Sequence, residues 1–402
     1  MAESKKENWV KPRHELTRKL FGSAVRKLSA SKYNADIVRY GGKDAHVILF
    51  NHQTPFDQFF VATAFDVPIY FIATEDIFSN GFTSRLIEHL VAPIPIKKGT
   101  MDIKAIKTCL QVAKEGGSIA IAPEGNRTYS GRTLNINPSI AGLVKKLGLP
   151  LLLFRIEGGY GAEPRWSDTI RKGKMKAYVS EEISAEELKA MDKDTLYRRI
   201  VSGLSVDEAN SEEGCESDVR AEYIERMAYV CPFCGLAEWE SSGNEAHCKK
   251  CGKKISYGTD KRIRGIDCEF PFEYAADWYD YQLDYVNGLD VTKDTVKPYF
   301  TDKTDIYNVE LYKNKKLFAK DVVSELYGNR IELIVGNDRI VLDFDSVSGI
   351  AVLGRNKLNV YHGDKVYQFK GNKRFNALKY LNIYHRFRNQ TSGNPEETFL
   401  GM

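Results

Sequence analysis

Short apolar runs alternate with longer amphipathic ones through the first half of the chain. Residues 46–50, 67–73, 118–122, 150–156 and 174–179 are rich in bulky side chains and bounded by turn-forming residues, a pattern that predicts buried strands. Between them, apolar positions at helical spacing predict helices near 55–65, 82–91, 102–115 and 138–147, the last opened by Asn137-Pro138. This alternation predicts an α/β layer with a largely parallel sheet, whose functional residues gather at the strand ends. Ahead of it, residues 14–29 place Leu16, Leu20, Phe21, Ala24, Val25 and Leu28 on one helical stripe, with Arg18, Lys19, Arg26 and Lys27 elsewhere on the wheel. Such a stripe serves equally for packing on the domain and for lying on an anionic membrane.

The pattern changes in the second half. Two helices, 184–190 and 192–204, precede a polar stretch in which residues 205–225 hold eight acids against the single Arg220, the composition of a solvated linker. Residues 270–288 concentrate Phe270, Phe272, Tyr274, Trp278, Tyr279, Tyr281 and Tyr285 and read as an aromatic helix packed between modules. Strand-like alternation follows near 307–312, 330–335, 338–344, 347–353, 357–361 and 365–370, punctuated by Gly336-Asn337, Gly354-Arg355-Asn356 and Gly363-Asp364 and closed by a helix near 372–388. Consecutive hairpins with a terminal helix resemble a pleckstrin-homology or GRAM-type module. The predicted organisation is a basic amphipathic segment (1–40), an α/β domain (41–204), an acidic linker (205–226), a cysteine-bearing ribbon (227–258), an aromatic connector (259–305), a mainly-β domain (306–389) and a disordered tail (390–402).

At 402 residues the chain has room for two or three domains. The formal charge is +4, but residues 1–40 carry ten Lys/Arg against four Asp/Glu, so the positive charge sits at the front. No apolar run approaches the ~20 residues needed to cross a bilayer, and no signal-peptide core is visible; a cytoplasmic protein, peripheral on the inner face of a membrane, is expected. Cys231-Pro-Phe-Cys234-Gly and Cys248-Lys-Lys-Cys251-Gly form C-x2-C-x13-C-x2-C. Two such turns place four thiolates about 2.3 Å from one tetrahedral zinc ion, and four cysteines leave no open position, so the metal is expected to be structural. Cys109, Cys215 and Cys268 stand alone. Beyond Lys249, Lys250, Lys253 and Lys254 the ribbon lacks a basic and aromatic surface, which argues for a folding knuckle or protein contact and against nucleic acid.

Two stretches carry candidate chemistry. Asn51-His52-Gln53-Thr54-Pro55-Phe56-Asp57 follows the first predicted strand, with Thr54 suited to a helix cap, Pro55 to the first helical position and Asp57 to the acid of a capping box. Five residues turn about 500° at roughly 100° each, so His52 and Asp57 do not share a helix face. With His52 on the loop and Asp57 in the first turn, the carboxylate can hold one imidazole nitrogen and leave the other as a general base. An isolated H-x4-D is more often a loop histidine and a capping acid; a second motif changes that balance. The strand at 118–122 runs into Pro123-Glu124-Gly125-Asn126-Arg127-Thr128, where Gly125 permits a tight turn that aims Arg127 into the strand-end crevice as an anion ligand.

N-H-x4-D followed about 70 residues later by P-E-G-x-R-[ST] resembles the signature pair of the glycerolipid acyltransferases, the family that includes 1-acylglycerol-3-phosphate acyltransferases. The resemblance covers about residues 40–180. It implies a glycerolipid-acyltransferase-like layered sheet and acyl transfer from acyl-CoA or acyl-carrier protein to the free hydroxyl of a lysophospholipid, most simply 1-acylglycerol 3-phosphate. On that resemblance His52 is the base, Asp57 its partner, and Asn51, Gly125 and Arg127 belong to the acceptor site. Lys98, at the end of Ala92-Pro-Ile-Pro-Ile-Lys-Lys-Gly99, matches a basic position that holds the acceptor's phosphate, usually arginine; lysine supplies charge without the bidentate fork. Glu124 matches the family's acid, which either binds the acceptor's hydroxyl or holds Arg127 in place. Asn126 stands where threonine is usual, and Leu149-Pro-Leu-Leu152 resembles the family's fourth block but reads as plain core. The rival reading is a non-catalytic lipid- or protein-binding scaffold that works through the ribbon and the C-terminal module.

Overall fold

A computed structural model describes residues 8–74, 76–96, 102–210, 214–293, 296–310 and 313–392. Helix α1 (Pro12–Tyr33) takes proline in its first turn and ends at Asn34, whose left-handed backbone sends its N–H to Ala30 O. A seven-stranded sheet follows: β1 (Ala35–Ile37), β2 (Val47–Phe50), β3 (Ile69–Thr74), β4 (Ile94–Ile96), β5 (Ser118–Ile121), β6 (Leu151–Glu157) and β7 (Met175–Ile183). Their spatial order is β1-β7-β6-β2-β5-β3-β4. Every neighbouring pair is parallel except β6 with β7. The connecting helices are α2 (Asp57–Ala64), α3 (Phe82–Val91), α4 (Ile103–Lys114), α5 (Ser139–Leu147), the single turn α6 (Gly159–Ala162), α7 (Ala185–Ala190) and α8 (Lys193–Leu204).

The apolar runs of the central strands are continuous because both faces of the sheet are covered. Val47, Leu49, Ile119, Leu151 and Leu153 point to a core with Cys109 and Val112 of α4, Val144 of α5 and Ile200 of α8. The alternate residues Ile48, Phe50, Ala120, Leu152 and Phe154 pack on Phe60 and Val61 of α2 and Tyr33 of α1. Because β2, β3 and β5 are parallel, the loops leaving their C-terminal ends emerge along one edge. Both sequence motifs therefore meet there.

Three departures have physical causes. β1 and β4 are three-residue strands, too short for alternation to show in the sequence. Helix α2 begins at Asp57, two residues after the expected Pro55, since residues 54–56 form a turn. On α1 the buried residues are His14, Ser29 and Tyr33, with His14 Nδ1 2.9 Å from Tyr70 Oη, whereas Leu16, Leu20, Phe21 and Leu28 face outward. The apolar stripe is not what holds this helix to the domain.

The second half starts with a two-stranded hairpin, β8 (Val230–Cys231) and β9 (Gly235–Leu236), and an antiparallel sheet of β10 (Trp239–Ser242), β11 (Glu245–Cys248), β12 (Lys254–Tyr257) and β13 (Ile263–Ile266). Helix α9 (Ala275–Asn287) leads to a seven-stranded antiparallel sheet: β14 (Phe300–Asn308), β15 (Lys316–Leu326), β16 (Arg330–Val335), β17 (Asp338–Asp343), β18 (Val347–Leu353), β19 (Lys357–His362) and β20 (Lys365–Gly371). Its order is β17-β16-β15-β14-β20-β19-β18, and α10 (Leu378–Thr391) closes it with Tyr384 and Phe387 against the Phe344 ring. Strand β15 is absent from the predicted set. Lys320-Asp321 breaks its alternation, Asp321 has φ +50°, and the pairing with β14 shifts register there, so half the strand is exposed. The tail beyond residue 392 lies outside the described residues.

Among the described residues of 205–226, part of the stretch is buried where its acid count suggests solvent. Glu208, Cys215, Ala221, Ile224, Glu225 and Arg226 are buried, and Arg226 is gripped by Asp168 at 2.7 Å while stacking on Tyr223 at 4.1 Å. One apolar core then runs from Tyr129 and Trp166 through Met227, Trp239 and Trp278 to Phe369 and Leu381. The C-terminal sheet also reaches the site edge through Asp76, just past β3, which accepts from Lys315 Nζ, from Lys357 Nζ at 2.9 Å and from Gln368 Nε2 at 3.2 Å. Burial works against the Asp76 charge, but Lys357 and Lys315 outweigh it and hold its pKa at about 2. A depressed carboxylate stabilises above its unfolded value near 3.8 and loses that contribution as pH falls through about 2. Asp76→Asn is expected to remove about 2 kcal/mol at neutral pH. Urea denaturation checks this: the difference between wild type and variant should persist from pH 7 to about pH 4 and close only as pH falls through about 2.

Candidate active site

His52 leaves the end of β2, and its Nδ1 lies 2.7 Å from Asp57 Oδ2. Asp57 is fully buried, whereas the His52 side chain is 24% exposed. The carboxylate also accepts from Gln53 N at 2.6 Å, Thr54 N at 3.0 Å and Thr54 Oγ1 at 2.7 Å. The first residue of α2 thus reaches back to the Thr54 N–H as a capping-box acid does and fixes the loop that carries the imidazole, while the Thr54 hydroxyl accepts from Phe56 N at 3.1 Å and caps no N–H within α2. Gln53 N, Thr54 N and Thr54 Oγ1 all donate to this carboxyl group, and the tautomer of His52 with its proton on Nδ1 completes the same set of donors.

The second motif is tied to the first. Glu124 Oε1 accepts from His52 N at 2.8 Å, Glu124 Oε2 from Leu134 N at 2.7 Å, and Thr128 N donates to His52 O at 3.1 Å. Burial pushes the Glu124 carboxyl up to about 8, against the two backbone N–H groups that favour its charge. Both oxygens are engaged with backbone, so Glu124 is a staple between the motif loops, and among the described residues it makes no ion pair with Arg127. Asn51 has a structural task too: its Nδ2 donates to Ile156 O at 2.8 Å and its Oδ1 accepts from Ile156 N at 2.7 Å, so it clips β2 to β6. Gly125 has φ +68° and its N–H closes a turn onto Ala122 O, as the tight turn requires. At Gly159 a Cβ would sit 2.7 Å from Gln53 Cβ, so the close approach of α6 to the His52 loop needs glycine.

Arg127 is 7% exposed, and its Nη1 is buried with no hydrogen-bond partner among the described residues. Burial pulls its pKa down to about 10, Arg165 and Arg355 add to this, and Glu163 and Asp57 oppose it. Those neighbours escaped the sequence reading. Glu163, buried, accepts from Tyr33 Oη and from Arg355 Nη2. Arg165, also buried, donates to Arg127 O at 2.9 Å, Gly354 O at 2.9 Å and Val352 O at 3.2 Å and lies 4.3 Å from the Tyr129 ring. Tyr33, Arg165 and Arg355 come from α1, the turn after α6 and the β18–β19 turn, so no local spacing could join them. Lys98, the expected second phosphate ligand, lies outside the described residues.

The four ribbon cysteines converge as well. Cys231 and Cys251 Sγ are 3.7 Å apart, Cys234 and Cys248 Sγ 3.6 Å, and all four lie within 4.8 Å of one another. A tetrahedron of sulfurs about 2.3 Å from its centre has edges of about 3.8 Å, so this set can hold a metal ion. His247 is not part of the cluster.

The acyltransferase family model matches residues 29–156, a span that contains both motifs. It supports an acyltransferase domain in the first part of the chain. No curated protein sequence matches. Among solved structures the chain is similar to the crystal structure of the 1-acyl-sn-glycerophosphate (LPA) acyltransferase PlsC from Thermotoga maritima, at 19% identity and a TM-score of 0.41, over 49% of this chain and 81% of that one.

Proposed function

We propose that the α/β domain transfers a fatty acyl group from an acyl-CoA or acyl-carrier-protein thioester to the free hydroxyl of a lysophospholipid, with 1-acylglycerol 3-phosphate as the preferred acceptor. The observation that carries this reading is the Asp57-held His52 on the same loop cluster as a buried guanidinium whose Nη1 has no hydrogen-bond partner among the described residues. An alcohol is a weak nucleophile near neutral pH. His52, through the nitrogen not turned to Asp57, takes the hydroxyl proton as the oxygen attacks the thioester carbon. The C–O bond forms, the tetrahedral intermediate breaks its C–S bond, and the imidazolium returns the proton to the departing thiolate. Asp57 stabilises the imidazolium while it exists. No acyl-enzyme is required. Cys109 is sealed between α4 and the sheet, and burial pushes its thiol up to about 12.

Arg127 grips the acceptor's phosphate, turning binding energy far from the reacting atoms into alignment of hydroxyl and carbonyl. Arg127→Ala is expected to raise the acceptor KM about 10- to 100-fold with little change in the thioester KM. Steady-state kinetics with each substrate varied in turn checks it, and the reverse pattern would move Arg127 to the donor side. Thiol release from palmitoyl-CoA on adding lysophosphatidate tests the activity itself; no release with any acceptor would leave the scaffold reading.

The membrane face in this proposal is α1 with α3, which pack together. Leu20 is 65% and Phe82 79% exposed, Leu16, Phe21 and Leu86 are also exposed, and Lys19, Lys27 and Arg85 stand among them. Apolar residues ringed by cations suit an anionic bilayer surface. Among the described residues no helix is long and apolar enough to cross a membrane. In the same proposal zinc occupies the four-cysteine cluster as a structural ion, and the C-terminal sheet with α10 is a PH/GRAM-like module.

A further inference from the structure

Arg127 presents a puzzle of pairing. It is a buried guanidinium with an open Nη1, close enough to the buried carboxylate of Glu163 for that charge to raise its pKa, yet the two form no ion pair among the described residues. A buried carboxylate beside a buried guanidinium ordinarily closes onto it, because both lose hydration and each satisfies the other. Each Glu163 oxygen is already turned to another donor. Its Oε2 accepts from Tyr33 Oη on α1, and its Oε1 accepts from Arg355 Nη2 on the β18–β19 turn.

We propose that Arg355, carried by the C-terminal module, is a positioning residue that keeps Arg127 open to the acceptor's phosphate by occupying the neighbouring carboxylate of Glu163. The inference rests on the reading of Arg127 as the phosphate ligand. It makes the transferase site dependent on residues more than 200 positions downstream of its motifs.

The β18–β19 turn is fixed where this role needs it. Arg165 donates to the carbonyls of Val352 and Gly354, Tyr129 Oη donates to Arg355 O at 3.1 Å, and Asp168 Oδ1 lies 3.6 Å from Arg355 Nε. Together with Glu163, these three residues of the α/β half hold one turn of the C-terminal sheet, with Asp76 holding a second point through Lys315 and Lys357. A turn anchored on both sides places its guanidinium reproducibly, whereas a side chain on a free loop would not. Removing Arg355 leaves Glu163 with one oxygen unpaired in a buried site, and Arg127 is the cation that can answer it. The anion-binding group is then consumed from within.

The test is a double-mutant cycle on the full chain, read by calorimetric binding of glycerol 3-phosphate and by the acceptor KM for lysophosphatidate. Arg355→Ala is expected to weaken glycerol 3-phosphate binding about 10- to 100-fold and to raise the acceptor KM in step, with kcat little changed. Adding Glu163→Gln should restore binding to within a few-fold of wild type, because the amide no longer competes for Arg127. A role confined to holding the modules together predicts the opposite, a double variant as impaired as the single one or more. Should Arg355→Ala be insoluble, Arg355→Lys with and without Glu163→Gln gives the same comparison. Unchanged binding in the Arg355 variant, failure of the second substitution to rescue, or no glycerol 3-phosphate binding by wild type overturns the inference. Wild type that binds glycerol 3-phosphate through Arg127 but releases no thiol from any thioester overturns the acyltransfer reading alone.

Discussion

His52→Ala is expected to lower acyl transfer by about 10²- to 10⁴-fold, the usual contribution of a positioned general base, with the fold unchanged. The fold should tolerate it because the groups that shape the loop do not pass through the imidazole. Gln53 N, Thr54 N and Thr54 Oγ1 still reach the Asp57 carboxylate, Glu124 still accepts from the backbone N–H of residue 52, and Thr128 N still donates to its carbonyl. Asp57→Asn should behave differently. It keeps a weak remnant of activity, since His52 remains, but an amide offers only one acceptor oxygen where the carboxylate serves several donors, so the loop loosens as well. Thiol release at saturating thioester, beside thermal unfolding by circular dichroism, separates the two effects. Equal turnover in wild type and His52→Ala would discard the mechanism.

The His52 prediction was available from sequence because its elements are local. A buried strand, a polar turn and an acid five positions later are one short stretch, and the parallel order of β2 and β5 brings the second motif alongside without any further information. The central strands were legible for the same reason, being continuous apolar runs in a sheet covered on both faces. What the residues did next was not legible. Asn51 and Glu124 look like polar ligands beside a base, but at a strand end buried backbone groups also need partners, and Ile156, His52 and Leu134 claimed them. Nothing in the spacing of residues tells these demands apart. Residues 205–226 show the opposite failure: their acids signalled solvent, while Cys215, Ala221 and Ile224 between them join the apolar core that also holds Trp166 and Tyr257. The contact of Arg355 with Glu163 spans 192 positions and two modules, and pairing at that range is set by packing alone.

Cys248→Ser, or removal of the metal by a strong chelator, is expected to unfold the second half of the chain. Binding of structural zinc to four thiolates is worth about 10–16 kcal/mol, as large as the whole net stability of a typical domain, so the ribbon has no folded state to fall back on. The loss should spread, because the ribbon is not a separate body. Trp239 of β10 meets Trp278 of α9 at 4.8 Å, Trp278 Nε1 donates to Val230 O at 2.8 Å beside the first ligand pair, and Gln282 Oε1 accepts from Tyr229 N and Val230 N. Helix α9 therefore loses its seat when the knuckle opens, and with it the core that reaches Phe369, Leu381 and the turn that carries Arg355. Limited proteolysis with a zinc-sensitive dye checks the order of events: one zinc ion per chain should leave, cleavage should appear beyond residue 227, and the acceptor KM should rise only as cleavage sites open. Loss of turnover that is immediate, fully reversible on adding zinc and unaccompanied by new cleavage would mean that the metal takes part in the chemistry. With all four cysteines turned inward on one another, no coordination position is left for a substrate, and the slow structural loss is the expected outcome.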